Sequence, residues 1–175
     1  MLGPRVLVVG SPGCGKSVLA RELGDLLDLP VVHLDLRFHD PVAGYAGDRP
    51  RWRRHVVEDL LPEPRWVMDG HYASTLPQRI EVADVVVHLD YPTRVALRGV
   101  VGRRWGQEHR PDVPEEWRER VSWELLVSVL RFRSSEASRV ADLVAAAAHP
   151  PVVVRLRSRA AARRWLDGLG ARVSS

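Results

Sequence analysis

The sequence predicts an α/β domain built on a parallel β-sheet covered by helices on both faces. Short runs of β-branched residues recur along the chain, each followed by a turn and then a helical pattern. The runs are almost continuously apolar, as strands buried on both faces are, rather than alternating between apolar and polar. A length of 175 residues supports one domain with a sizeable core and is short for two.

Arg5–Val9 reads as the first strand and Ser17–Leu27 as the first helix, with Val18, Leu19, Leu23, Leu26 and Leu27 on its apolar side. Val31–Leu34 reads as a second strand ending at Asp35, followed by a loop rich in Gly, Pro and aromatic residues. A helix is expected from about Arg51 to Leu61, directing Trp52, Val56, Val57 and Leu60 inward. Arg65–Met68 is a third strand, running into Asp69-Gly70, and Asp84–Leu89 a fourth. Helices are expected over Thr93–Trp105, Glu115–Phe132 and Glu136–Ala147, with a polar, turn-rich flap at Gly106–Pro114. Val152–Leu156 is the fifth strand, and Ser158 caps a last helix reaching about Leu169.

Hydrophobic residues at 45% and charged residues at 27% exclude a wholly disordered chain, a collagen-like repeat and a disulfide-stapled mini-protein. The single cysteine, Cys14, excludes an internal disulfide and fits a reducing compartment. A net charge of +4 and a pI near 9.9 raise the question of nucleic acid. The distribution argues against a basic patch: residues 1–93 carry 10 basic and 13 acidic groups, and residues 94–154 carry 10 and 8. Residues 155–175 carry 6 and 1, which reads as a terminal helix with a solvated basic face. The apolar run Val6–Val9 is too short for a signal peptide, and no stretch approaches the roughly 18 apolar residues of a membrane span. The expectation is a cytoplasmic protein without a membrane partner. Of the 26 basic residues 25 are arginine, so the lone lysine, Lys16, stands out.

That lysine lies in Gly10-Ser11-Pro12-Gly13-Cys14-Gly15-Lys16-Ser17, which matches the phosphate-loop pattern G-x-x-x-x-G-K-[ST] at every required position. An apolar strand precedes it and a helix follows, the context the pattern needs. Glycines let such a loop wrap a phosphate and aim backbone N–H groups inward, and the following helix adds its N-terminal partial charge. Gly13, Cys14, Gly15, Lys16, Ser17 and Val18 are therefore expected to hold the nucleotide. Lys16 would reach the β- and γ-phosphates, and the Ser17 hydroxyl would coordinate Mg²⁺. Cys14 fills a variable position of the loop and reads as a tolerated small residue, although a helix N-terminus can activate a thiol.

Parallel sheets place ligands at the carboxyl ends of their strands, and phosphoryl transfer needs one carboxylate near Mg²⁺ and another near the attacking oxygen. Asp69, closing a hydrophobic strand, is expected on the Mg²⁺ side through water. Asp35 is expected to accept a proton from an acceptor hydroxyl, and Asp90 reads as a turn and helix-start residue. Arg98, Arg103, Arg104 and Arg110 can close over phosphates, spreading the transferring charge without exchanging protons. Of these, Arg103 and Arg110 are expected to act in catalysis and Arg104 in nucleotide binding. His39, Trp52, His71 and Arg79 are expected to line the acceptor side with Asp35 and Asp69. The seven histidines lack zinc-site spacing.

These motifs resemble P-loop kinases of the adenylate kinase-like, nucleoside and nucleotide kinase group. Within it the chain is most similar to the adenylate kinase-related proteins labelled DNA topology modulation proteins. The resemblance runs through Gly10–Ser17, Leu29–Asp35, Trp66–Tyr72 with Thr75-Leu76 and Arg79, Ala83–Asp90 and Arg103-Arg104, over roughly residues 5–160. It implies a three-layer P-loop fold whose five-stranded parallel sheet has the order 2-3-1-4-5. It also implies an acceptor region at about residues 36–62, an arginine-bearing lid near 99–118, and a nucleotide base near the lid arginines and Arg157. Adenylate kinases carry Asp-Gly-Phe-Pro-Arg after strand 3, whereas here Asp69-Gly70-His71-Tyr72 is followed by the next arginine at 79. The aspartate after strand 2 is instead similar to that of P-loop kinases that phosphorylate a hydroxyl on a sugar, a shikimate-like acid or an antibiotic, where it is the base.

The expected activity is transfer of the γ-phosphoryl of ATP or GTP, with Mg²⁺, to a hydroxyl of a nucleoside-like, sugar or antibiotic acceptor. A nucleoside monophosphate kinase is the alternative, its acceptor phosphate held by arginines among Arg37, Arg51, Arg53, Arg54 and Arg79. A nucleotide-dependent DNA-binding regulator using the basic tail is a third reading.

Overall fold

The computed structural model describes residues 3–104 and 138–173. The elements in order are β1 (Arg5–Gly10), α1 (Lys16–Leu27), β2 (Val31–His33), α2 (Leu34–Phe38) and α3 (Arg49–Arg54). There follow β3 (Trp66–Asp69), α4 (Leu76–Val82), β4 (Val85–Leu89) and α5 (Thr93–Arg104). The chain ends with a helical stretch over residues 138–146 (α6), β5 (Val152–Leu156) and α7 (Arg159–Val173). The flap at Gly106–Pro114, with Arg110, and the helix expected at Glu115–Phe132 lie outside the described residues.

The strands form one parallel sheet in the order β2-β3-β1-β4-β5. The apolar strands serve two cores at once. Val6 and Val8 of β1 face one side and pack with Leu19 and Leu23 of α1, Val85 and Val87 of β4, and Leu166 of α7. Leu7 and Val9 face the other, with Trp52 of α3, Met68 of β3, Ile80 of α4 and Val140 of α6. Each such fully buried aliphatic side chain contributes roughly 1.5–3 kcal/mol, so the two-sided apolar strand is what commits this chain to three layers. At the edge, β5 leaves Val152 and Val153 exposed.

Several boundaries differ from the sequence expectation, each for a local reason. Strand β2 stops at His33, because Leu34 turns into the core as the first residue of α2, and Asp35 sits in that helix's first turn. The helix expected from Arg51 begins two residues earlier. Asp48 Oδ1 accepts from the Arg51 N–H at 2.9 Å as its N-cap, and Pro50 lies in the first turn. It then widens into a π-helical turn over His55–Leu60. Short α4 follows Thr75 with Pro77 in its first turn. The Ser158 hydroxyl accepts from the Ala161 N–H at 3.1 Å, capping α7 as expected, and α7 continues past Leu169 to Val173. Val18, expected on the apolar side of α1, is 42% exposed.

Candidate active site

Gly10–Ser17 bridges β1 and α1 at the carboxyl end of the central strand. Gly15 adopts φ +89°, and a Cβ at that position would meet nothing within 4 Å, so the cradle above it is open. Lys16 Nζ donates to the Ser11 carbonyl oxygen at 3.1 Å, folding the ammonium back over the loop. The Cys14 side chain turns the other way, into the core with Val6, Val8 and Leu89. Its buried thiol explains why only a small residue fits there and makes its expected part in nucleotide binding a matter of backbone alone. Burial and nearby Cys14 push the neighbouring Tyr91 phenol up to about 12. Val18, one residue past the motif, stays exposed beside it.

One contact has almost no signature in the sequence. A Cβ on Gly13 would come within 2.3 Å of the Ala96 carbonyl oxygen, and a Cβ on Gly99 within 2.0 Å of the Gly13 carbonyl oxygen. Helix α5 therefore lies backbone to backbone against the phosphate loop, and neither glycine can carry a side chain there. The only sequence signal is an isolated glycine inside a helical pattern.

Asp69 is buried at the end of β3, where its Oδ1 lies 2.8 Å from His33 Nδ1, while its buried Oδ2 has no hydrogen-bond partner in good geometry among the described residues. Burial alone would raise its pKa. The His33 hydrogen bond and charge, with the Ser17 hydroxyl and Lys16 ammonium, outweigh that and hold it below the ordinary carboxylate value. The carboxylate is thus ionised beside the phosphate loop. Asp35 stands exposed on α2, two residues past His33. Asp90 plays a structural part instead. Its Oδ2 accepts from Arg155 Nε at 3.0 Å and Nη2 at 2.7 Å, and its N–H donates to the Leu156 carbonyl at 2.9 Å. It ties the end of β4 to β5.

Arg79, expected to face the acceptor, is fully buried. Its Nη1 donates to the Gly70 carbonyl at 2.7 Å, and its Nη2 to the carbonyls of His71 at 2.7 Å and Tyr72 at 3.0 Å. The guanidinium is occupied in shaping the turn after Asp69, because three carbonyls converge where a fork of donors can satisfy them. Burial pulls its pKa down to about 9, against the opposing pull of Tyr72, Asp35 and Asp69. Replacing Arg79 with methionine is expected to cost about 3 kcal/mol, because the relieved desolvation is smaller than the loss of donors to three carbonyls. Urea unfolding would read this as a lower midpoint with an unchanged slope; an unchanged midpoint would remove this role.

Trp52 is also buried, at 2% exposure, in an aromatic cluster with Phe38 and Tyr45, both at 5.4 Å between ring centroids, and Tyr72 at 5.3 Å. The indole thus packs the wall of the expected acceptor region instead of presenting a free face. His39 is exposed, edge-on to Phe38 at 5.0 Å, and His71 is half-buried in the turn that Arg79 holds. Arg157 lies exposed just past β5, and Arg103 and Arg104 close α5. Phosphate loop, Asp69 and Asp35 thus gather at one end of the sheet, whereas Arg79 and Trp52 are taken up by packing.

No family model and no curated protein sequence matches the chain. Solved structures do. A shikimate kinase from Acinetobacter baumannii in complex with shikimate superimposes with TM-score 0.64 and 15% identity, covering 98% of this chain and 94% of that one. A shikimate kinase from Bacteroides thetaiotaomicron gives TM-score 0.59 and 15% identity over 98% of both chains. A gluconokinase from Sinorhizobium meliloti 1021 gives 0.55 and 16%, covering 99% and 95%. The fold is that of P-loop kinases. Among the described residues, no three His, Cys, Asp or Glu side chains gather into a metal site, and no helix is long and apolar enough to cross a membrane.

Proposed function

We propose that this chain is a phosphotransferase that moves the γ-phosphoryl of ATP or GTP onto a hydroxyl of a small molecule. The observation that carries this reading is the contrast between Asp35 and Arg79. An exposed carboxylate follows β2 at the same carboxyl end of the sheet as the phosphate loop, while Arg79, one of the arginines that a phosphate-bearing acceptor could call on, is committed to backbone carbonyls. That favours a hydroxyl acceptor over a nucleoside monophosphate. The structural likeness to a shikimate kinase and a gluconokinase supports the same direction.

Lys16 would neutralise the β- and γ-phosphate oxygens, and the loop's backbone N–H groups would hold them. Asp35 would orient and deprotonate the acceptor hydroxyl within the region 36–62. Arg103 and Arg110 would close on the transferring group from a lid at 99–118, with Arg104 and Arg157 toward the nucleotide, so that water is excluded. Mg²⁺ fits the residues present: the buried Asp69 Oδ2, without a hydrogen-bond partner among the described residues, and the Ser17 hydroxyl are the oxygen donors that would hold such a cation. When bound, it neutralises charge on the transferring phosphoryl.

The test is ADP and GDP release from the purified chain across nucleosides, nucleoside monophosphates, sugars, sugar acids, shikimate and antibiotic acceptors. The expected result is release stimulated at least about 10-fold by one hydroxyl-bearing class. Stimulation by monophosphates alone would overturn the reading.

A further inference from the structure

The hydroxyl-kinase reading gives Asp69 a role but leaves its hydrogen-bond partner, His33, without one. His33 and Asp69 are partners across the β2–β3 ladder, 36 residues apart in sequence. Their side chains meet at 2.8 Å between Nδ1 and Oδ1, and are 13% and 3% exposed respectively. An ionised carboxylate only accepts hydrogen bonds, so the proton in this contact is on Nδ1. Without His33, Oδ1 of Asp69 would lose the hydrogen bond that fixes it, and the carboxylate plane would be freer to turn about χ2.

Resting on the phosphotransferase reading, we infer that His33 is a positioning residue for Asp69. By holding Oδ1, it leaves Oδ2 as the oxygen presented to the nucleotide-bound cation. A hydrogen bond to a carboxylate that serves a metal fixes its orientation, and loss of such a partner typically lowers metal affinity about 10–100-fold. The strand register delivers this partner without a loop. Because β2 ends at His33 and β3 at Asp69, the two side chains emerge side by side at the sheet's carboxyl edge. His33 touches neither phosphate nor acceptor in this assignment, and acts only through Asp69.

Two measurements on the full chain test it. The first needs no ligand: nitrogen-15 NMR of the His33 ring is expected to show Nδ1 protonated, and a bare Nδ1 would overturn the inference. The second uses Mn²⁺ as the probe, titrated by electron paramagnetic resonance at saturating ADP. His33→Ala is expected to weaken Mn²⁺ binding about 10–100-fold, with ADP affinity in the absence of metal changed less than about 2-fold. His33→Asn, whose amide N–H can stand in for Nδ1–H, is expected to recover Mn²⁺ binding to within about 3-fold of wild type. An unchanged Mn²⁺ affinity in His33→Ala would sink the positioning role alone. So would His33→Asn as weak as His33→Ala, a comparison that stands with His33→Asn against wild type if the alanine variant fails to fold. If the wild-type chain binds no Mn²⁺ with ADP, the phosphotransferase reading itself falls and takes this inference with it.

Discussion

Lys16→Ala is expected to lower acceptor-dependent ADP release about 10³-fold, equivalent to about 4 kcal/mol of barrier. The chain's one lysine stands at the first position of α1, and its ammonium folds back over the phosphate loop to the Ser11 carbonyl at 3.1 Å. From there a compact point charge can follow the β- and γ-phosphate oxygens, which a planar guanidinium of different reach cannot match. The fold itself should survive the change. Among the described residues Lys16 makes one hydrogen bond, to a backbone carbonyl that stands in the loop, and supplies none of the buried apolar contacts. Thermal unfolding of the variant is therefore expected close to wild type while turnover collapses. ADP release equal to wild type would show that the phosphate loop does not carry the reaction.

The second large effect belongs to Asp35. Asp35→Asn is expected to reduce transfer to a hydroxyl acceptor about 10³-fold, mostly in kcat, as expected for loss of a general base. Asparagine keeps the size and the exposed setting in the first turn of α2 but cannot take up the proton. Nucleotide affinity, set by the loop on β1, should change little. A change below about 10-fold, together with turnover of AMP or another monophosphate, would transfer the chain to the nucleoside monophosphate kinases. Arg37, Arg51, Arg53 and Arg54, all exposed, would then be the arginines to examine.

The architecture was largely legible from the sequence because it rests on short-range patterns. Val152–Leu156 agrees residue for residue with the expected fifth strand, and the other strands lie within a residue or so. The inner strands β1, β3 and β4 are short, mostly apolar runs, and their period-two packing on both faces is written as near-continuous apolarity. Helix ends were less legible where a side chain decides them. Asp48 and Pro50 move the start of α3 upstream, and burial of Leu34 ends β2 early and places Asp35 on a helix.

The candidate site divides along the same line. A contiguous motif can be read in one dimension, since Gly10–Ser17 needs only a strand before it and a helix after it to take its shape. The chain order thereby determined the phosphate loop, the lone lysine in it, and the carboxylates that follow β2 and close β3. Tertiary structure alone decided what each partner does. It turned Arg79 inward onto Gly70, His71 and Tyr72, and buried Trp52 among aromatic rings. It set Gly99 against Gly13, tied Asp90 to Arg155, and brought His33 to Asp69. The physical reason is distance along the chain. Hydrogen bonds act over about 3 Å, and which residues come that close depends on strand register and helix packing, not on spacing in sequence.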